Sequence, residues 1–190
     1  MAAWSLWAFL VCRSYSPLPL AGSGDANLRQ LQYNPGMLDK LSQRVQNKKV
    51  LILGVGNHLR GDEGVGSFLV RRLKDKVNVP LLDGGVVPEK QISRLEELCP
   101  DIVLVIAAAD MPDAQPGEVG LFELDQAHRA GVRIRTTNLP LLFKIISNTY
   151  KPETLLIAIQ PDDQNPKGVS ESVRNALDGL EAMMVGLFGS

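Results

Sequence analysis

The chain has 190 residues, of which 45% are hydrophobic, and a formal net charge of -1. This length allows one domain with a full core, and the near-neutral charge excludes a general electrostatic attraction to nucleic acid or anionic membranes. The two cysteines, Cys12 and Cys99, are too few and too far apart for a disulfide framework or a C-x-x-C metal site. We therefore expect a protein of a reducing compartment, the cytoplasm, that acts on small molecules, metals or protein partners.

Residues 1–46 are predicted to form a poorly structured N-terminal extension. The apolar stretch at 2–12 is too short to span a bilayer, and no basic residue precedes it as in a signal peptide. An organelle transit peptide is an alternative, because no acid comes before Asp25, although one arginine in that stretch is few for that class. A short helix is predicted at 35–46, with Asn34 as its N-cap and Pro35 at its first position.

Residues 47–190 are predicted to form a single domain, because strand and helix patterns alternate along them. Continuous apolar runs are typical of parallel strands buried on both faces, and helical spacing of apolar residues indicates amphipathic helices. The predicted strands lie at 50–53, 79–82, 102–109, 118–124 and 154–159, and the predicted helices at 65–73, 88–99, 139–146 and 173–187. This order predicts a three-layer α/β fold with a mostly parallel sheet of about five strands and helices on both faces.

The link between the first strand and its helix is rich in glycine and acids. It reads G-V-G-N-H-L-R-G-D-E-G-V-G at residues 54–66 and spends about eight residues where a few would suffice. Asp62 and Glu63 fall near a helix start, where the helix dipole favours carboxylates. Long links at such places usually line a site.

A dinucleotide-binding loop is the alternative interpretation of this link. Gly54 and Gly56 supply G-x-G, and Asp83 could serve as the acid that binds a ribose. However, Leu59 replaces the third glycine of the fingerprint, and the two acids of the link would repel a pyrophosphate. The phosphate-binding hypothesis is therefore the weaker one.

Ligands of open parallel sheets bind beyond the carboxyl ends of the strands, so residues that follow the predicted strands are candidates for a site. For a hydrolytic metal site, Glu63 is a credible ligand, and Asp110 or Asp83 could add an oxygen. His58 lies in the glycine-rich link and is a weaker candidate. His128 lies in a polar stretch between elements, where a surface position is expected.

Structural roles compete with these functional ones. Asp110 precedes Met-Pro and is expected to form a turn by hydrogen bonding within its own loop. Thr137 or Asn138 is most simply the N-cap of the helix at 139–146. Cys99, before a proline at a helix end, is expected in the core rather than as a nucleophile.

Several motifs in order resemble those of the hydrogenase maturation endopeptidases. They are the glycine-rich link, L-D-G-G-V-V-P-E, A-A-A-D-M with P-G-E-V downstream, T-N-L-P-L, and I-A-I-Q-P-D followed by G-V-S-E-S-V. The resemblance runs from about residue 49 to residue 182. It implies a doubly wound α/β fold and an activity that removes a C-terminal peptide from the precursor of a nickel-iron hydrogenase large subunit after nickel insertion.

The resemblance also implies three metal ligands, of which the chain keeps one. Glu63 matches the acid of the glycine-rich turn. Ala107 stands at the position of a ligand aspartate, and Thr137 stands at the position of a ligand histidine, while Asp110 matches a later acid that is not a ligand. Alanine has no donor atom, and a neutral hydroxyl is a poor ligand for nickel or zinc.

The leading hypothesis is a protein of this kind that cleaves poorly and keeps its recognition of the precursor, with nickel carried by the precursor and little metal binding of its own. An active endopeptidase with substitute ligands and a nucleotide or small-molecule binding module are the alternatives. We expect neither nucleic acid as a partner nor a membrane span, and the catalytic residues remain unassigned. The residues expected to line the crevice are Gly54, Gly56, Asn57, His58, Gly61, Asp62, Asp83, Ala107, Asp110, Thr137 and Asn138.

Overall fold

The computed structural model describes residues 36–135, 151–163 and 168–189. The strands in these ranges are β1 Val50–Val55, β2 Leu81–Gly85, β3 Ile102–Asp110, β4 Val119–Glu123, β5 Arg133–Ile134 and β6 Glu153–Ile159. The α-helices are α1 Met37–Val45, α2 Val65–Leu73, α3 Ile92–Leu98, α4 Leu124–Arg129 and α5 Glu171–Phe188, and short 3-10 helices lie at Gly61–Gly64 and Pro88–Gln91. No helix among the described residues is both long and apolar enough to cross a membrane.

The strands form one mostly parallel sheet in the order β2-β1-β3-β6-β4. β1 pairs in parallel with β2 and β3, and β3 pairs in parallel with β6. The edge strand β4 runs antiparallel to β6, and the two-residue β5 pairs antiparallel with the end of β3. The predicted doubly wound α/β fold is confirmed, since the order grows outward from β1 in both directions.

Two apolar clusters cover the two faces of the sheet. The first core cluster packs α1, α2 and α5 against side chains such as Ile106, and the second packs side chains of α3 and α4 against the opposite face, where Ala107 lies. Successive residues of β3 therefore point into different clusters, as the alternation of side chains along a strand requires. The interior strands β1 and β3 are buried almost throughout, which explains their continuous apolar sequence.

The short helix predicted at 35–46 is present as α1, from Met37 to Val45. Met37, Leu41 and Val45 are buried in the first core cluster, and Arg44 forms ion pairs with carboxylates on β4 and β6. The helix thus packs onto the core, although the sequence placed it in the extension. Its predicted N-cap, Asn34, lies outside the described residues.

Two elements between residues 124 and 134 were not predicted. His128 is an exposed residue within α4, so the interpretation of that stretch as a polar connection was wrong. Among the side chains described from residue 126 to residue 134, the buried apolar ones are Ala127, Val132 and Ile134, which are too few for a visible period. The helix predicted at 139–146 lies outside the described residues.

Cys99 ends α3 in the left-handed region, at φ 42°, and its side chain is buried in agreement with the prediction of a core position. The helix predicted to begin at Pro88 does begin there, but its first four residues, Pro88–Gln91, form a 3-10 helix, and the α-helix α3 follows from Ile92. Asp83 lies inside β2, not after it, because the strand extends three residues further than its apolar run suggested.

Candidate functional site

The glycine-rich link crosses the carboxyl end of β1 and leads directly into α2. A Cβ at Gly54 would stand 2.2 Å from the carbonyl oxygen of Gly66, so glycine is needed there for α2 to approach the strand. Within the link, the Asn57 backbone N–H donates to the carbonyl oxygen of Glu63 at 3.0 Å, and the Asn57 side-chain oxygen accepts from the N–H of Leu59 at 3.0 Å. The link is therefore an ordered turn with its own hydrogen bonds.

Asp62 is a buried carboxylate, 5% exposed, that accepts hydrogen bonds from two residues about a hundred positions later in the chain, Asp162 and Ser170. Its Oδ1 accepts from the Ser170 N–H at 2.7 Å, and its Oδ2 accepts from the Ser170 hydroxyl at 2.7 Å and from the Asp162 N–H at 2.9 Å. Ser170 is the N-cap of α5, and its Oγ accepts from the Val173 N–H. Asp62 thus joins the glycine-rich link to the start of α5.

Gly61 reinforces this junction. Its φ of +51° lies in the left-handed region, and a Cβ there would stand 2.2 Å from the carbonyl oxygen of Gly168. Any side chain would therefore push apart the two segments that Asp62 joins.

Glu63, which the resemblance matches to a metal-ligand position, is half-buried and already has a cationic partner. Its Oε2 lies 3.3 Å from Nη1 of Arg60, and its side chain is 22% exposed. Because Arg60 and Glu63 are three residues apart in the same turn, the pair forms locally. The carboxylate faces a guanidinium within the link itself.

Asp83 is held by groups of α2 and of its own strand. Its Oδ1 accepts from the Ser67 hydroxyl at 2.7 Å and from the Gly85 N–H at 3.1 Å, and its Oδ2 lies 3.4 Å from Nε of Arg71. Both oxygens therefore have protein partners, which leaves little capacity for a ribose or a metal. A backbone hydrogen bond of 2.9 Å from Gly56 to Gly85 joins this region to the glycine-rich link.

Asp110 lies at the end of β3 and is bound by Arg135. Nε of Arg135 donates to Asp110 Oδ1 at 2.8 Å, and Nη2 donates to the same oxygen and, at 3.0 Å, to Asp163 Oδ2. The interpretation of Asp110 as a residue that hydrogen bonds within its own loop was wrong, because its partner is 25 residues away.

The hydrogen bonds with Asp163, opposed by partial burial and assisted by Asp110, raise the pKa of Arg135 above its ordinary value. The hydrogen bond from Arg135 lowers the pKa of Asp163. These three charged groups together form the Asp110–Arg135–Asp163 bridge.

Ala107 points into the second core cluster and is 0% exposed. Its neighbour across the strand pair is Ala158, so apolar groups surround the position of the expected ligand aspartate. Among the described ranges, no three of the His, Cys, Asp and Glu side chains are grouped so that they could hold a metal ion. The described residues do not fit a resident metal, and Thr137 and Asn138 lie outside them.

The structure brings together only part of the predicted set. Gly54, Gly56, Asn57, Gly61, Asp62, Glu63 and Asp83 gather around the ends of β1 and β2, while Asp110 lies at the end of β3 with Arg135. His58 is in the link and exposed. Sequence reasoning missed Arg60, Ser67, Arg135 and Ser170; only Arg60, at helical spacing from Glu63, and Ser170, before an amphipathic helix, had a local signal.

The comparisons with known proteins agree on one family. A family model described as hydrogenase maturation protease matches residues 64–186, more than half of the chain. The chain is 32% identical over 143 residues to the hydrogenase 3 maturation protease of Escherichia coli K12, covering 69% of this chain and 90% of that protein.

Solved structures agree with this match. The solution structure of the endopeptidase HycI from Escherichia coli has a TM-score of 0.60 at 27% identity, over 73% of this chain and 90% of that one. The crystal structure of the NiFe hydrogenase maturation protease HycI from Thermococcus kodakarensis KOD1 has a TM-score of 0.66 over 77% and 96%, and at 23% identity it supports the fold alone. The chain therefore belongs to the hydrogenase maturation protease family.

Proposed function

We propose that this chain recognises the precursor of a nickel-iron hydrogenase large subunit and removes its C-terminal peptide slowly or not at all. The observation that carries the proposal is Ala107, a fully buried methyl group where the resemblance implies a ligand aspartate. Nickel would arrive with the precursor, as cargo of the substrate. We expect this recognition to take place in the cytoplasm.

The chemistry of the donors supports impaired cleavage. A metal ion at such a site polarises the scissile carbonyl or activates a water molecule. Here Ala107 offers no donor, and the Glu63 carboxylate lies against the guanidinium of Arg60. Two ligand positions of the family lack a strong donor, which leaves too few for a fixed coordination geometry.

Retained recognition is supported by the exposed apolar residues at the carboxyl edge. The large hydrophobic side chains exposed among the described residues are Leu59, Val86 and Val87, which follow β1 and β2. The Gly56 to Gly85 hydrogen bond places the two turns side by side. Exposed apolar groups that adjoin polar residues often mark binding sites for proteins, and Leu59, 82% exposed, is available to contact a peptide.

The test is to mix the purified chain with a nickel-loaded large-subunit precursor and to measure both binding and the intact mass of the precursor. We expect binding without loss of the C-terminal peptide, under conditions in which an active family protease removes it. Leu59→Ser should weaken binding by about fivefold or more, since it removes an apolar anchor, whereas Lys40→Ser, on exposed α1 surface, should not. Efficient loss of the peptide would contradict impaired cleavage, and absence of binding would contradict recognition.

Restoring the two expected ligands is a second test of impaired cleavage. Ala107→Asp alone should lower the free energy of unfolding by about 2–4 kcal/mol, because it places a carboxylate in an apolar cluster. Together with Thr137→His it should create nickel binding that calorimetry detects, and nickel should then recover part of the lost stability. Failure to gain binding would mean that the crevice differs from the family in more than its ligands.

An active endopeptidase with substitute ligands is the second candidate. Asp83 and Asp110 are the carboxylates that could serve as substitute ligands, and both already have protein partners. Calorimetric titration with nickel or zinc discriminates: micromolar binding that Glu63→Ala abolishes would favour this candidate over ours. A nucleotide-binding module would instead be stabilised by dinucleotides. At a free dinucleotide concentration of 100 times the Kd, its free energy of unfolding should rise by about 2.7 kcal/mol, which a thermal-shift measurement would detect.

A further inference from the structure

Arg135 lies at the carboxyl edge of the sheet and contacts two carboxylates from different parts of the chain. It binds Asp110 through Nε at 2.8 Å and Asp163 through Nη2 at 3.0 Å, with further contacts from Nη1 and Nη2. The Arg135 side chain is only 21% exposed, although the two carboxylates are more accessible. A forked guanidinium that meets two carboxylates forms a network, which is the case in which surface ion pairs do contribute to stability.

The bridge joins the ends of three strands. Asp110 is the last residue of β3, Arg135 directly follows β5, and Asp163 lies beyond the end of β6. Backbone contacts run in parallel with it, because the Arg135 N–H donates to the carbonyl oxygen of Ala108 at 3.2 Å and the Met111 N–H donates to the Gln160 side chain at 2.7 Å. The guanidinium therefore sits where separate segments must be held in register.

We infer that Arg135 acts as the cross-link of this edge, so that the ends of β3, β5 and β6 keep their arrangement without a divalent cation. A metal bound by residues of several segments would join them in the same way, but Ala107 supplies no ligand from β3. Arginine suits the task because its five N–H donors have a fixed planar geometry, whereas lysine offers a single point charge. This inference goes beyond the proposed function and concerns how the edge is held, not what it binds.

Amide hydrogen exchange of the full chain tests it, with Arg135→Met as the variant. The amide of residue 135 donates to the carbonyl oxygen of Ala108 and therefore reports on the pairing of β5 with β3. Without the bridge it should exchange about tenfold faster, since local opening no longer breaks charge-assisted hydrogen bonds. Arg133→Met is the matched control: the residue is exposed, lies two residues earlier in β5 and carries the same charge, so its loss should change exchange by less than about twofold. The exchange rate in Arg135→Lys should lie between the rates of the Arg135→Met and Arg133→Met variants.

Two further measurements complete the test, one with a chelator or added metal and one at different salt concentrations. Addition of a chelator, or of nickel or zinc, should leave the melting temperature of the unaltered chain unchanged. For the unaltered chain, raising the salt concentration from about 0.02 M to 1 M should speed exchange at the Arg135 amide while the amide of Leu53 in β1 stays protected, and this arm needs no variant to fold. Equal exchange in the Arg135 and Arg133 variants, or destabilisation of the unaltered chain by the chelator, would overturn the inference. No precursor is present, so these results are independent of the proposed function.

Discussion

Replacement of Asp62 by asparagine tests the junction between the glycine-rich link and α5. The carboxylate accepts three hydrogen bonds with both oxygens while only 5% exposed. An asparagine side chain keeps one acceptor oxygen and turns an NH2 group toward at least one backbone N–H, of Asp162 or Ser170. The variant therefore leaves a buried donor without a partner and removes the negative charge from the remaining hydrogen bonds.

We expect Asp62→Asn to lower the free energy of unfolding by about 2–4 kcal/mol, because an unsatisfied buried donor costs about 1–3 kcal/mol and charged hydrogen bonds are the stronger ones. In urea, with an m-value of about 2 kcal/mol/M, the midpoint should fall by about 1–2 M. Asp178→Asn is the control, since it removes a carboxylate from an exposed ion pair with Arg72 and should cost less than about 1 kcal/mol. Equal midpoints for the two variants would refute the structural role assigned to Asp62.

Three further predictions concern the backbone and pH. Gly61→Ala should destabilise the fold by about 1–3 kcal/mol, because of its positive φ and the backbone oxygen 2.2 Å from the added Cβ. Gly186→Ala, in α5 with open space around it, should instead stabilise by about 0.5–1 kcal/mol, and a melting temperature that falls in that variant would contradict the assigned geometry. The lowered pKa of Asp163 means that its contribution to stability is present above its unfolded pKa of about 4 and is lost as the pH falls through the lower folded value. The melting temperatures of the unaltered chain and Arg135→Met should therefore converge as the pH drops below about 4, and a gap that stays constant to pH 2 would count against this bridge.

The sheet and most of its helices were predictable because their burial leaves a local pattern. β1, and β3 up to Asp110, contain no polar side chain since both faces are covered, and α2 and α5 repeat apolar residues at helical spacing because one side packs on the sheet. The pairing of β5 with β3 and the short helix α4 had no such signal. β5 is held by its pairing with the end of β3, and α4 is held by contacts with β4 and β6, so neither depends on a pattern in its own sequence.

The sequence by itself determined the fold class and the family, since motifs and alternation depend on residues close together in the chain. Only the tertiary structure decided which partner each carboxylate has. Asp62 binds a serine 108 residues away, and Asp110 binds an arginine 25 residues away. A carboxylate can serve a metal, a helix end or a guanidinium equally well by its chemistry, so the choice depends on which groups the fold brings within hydrogen-bond distance.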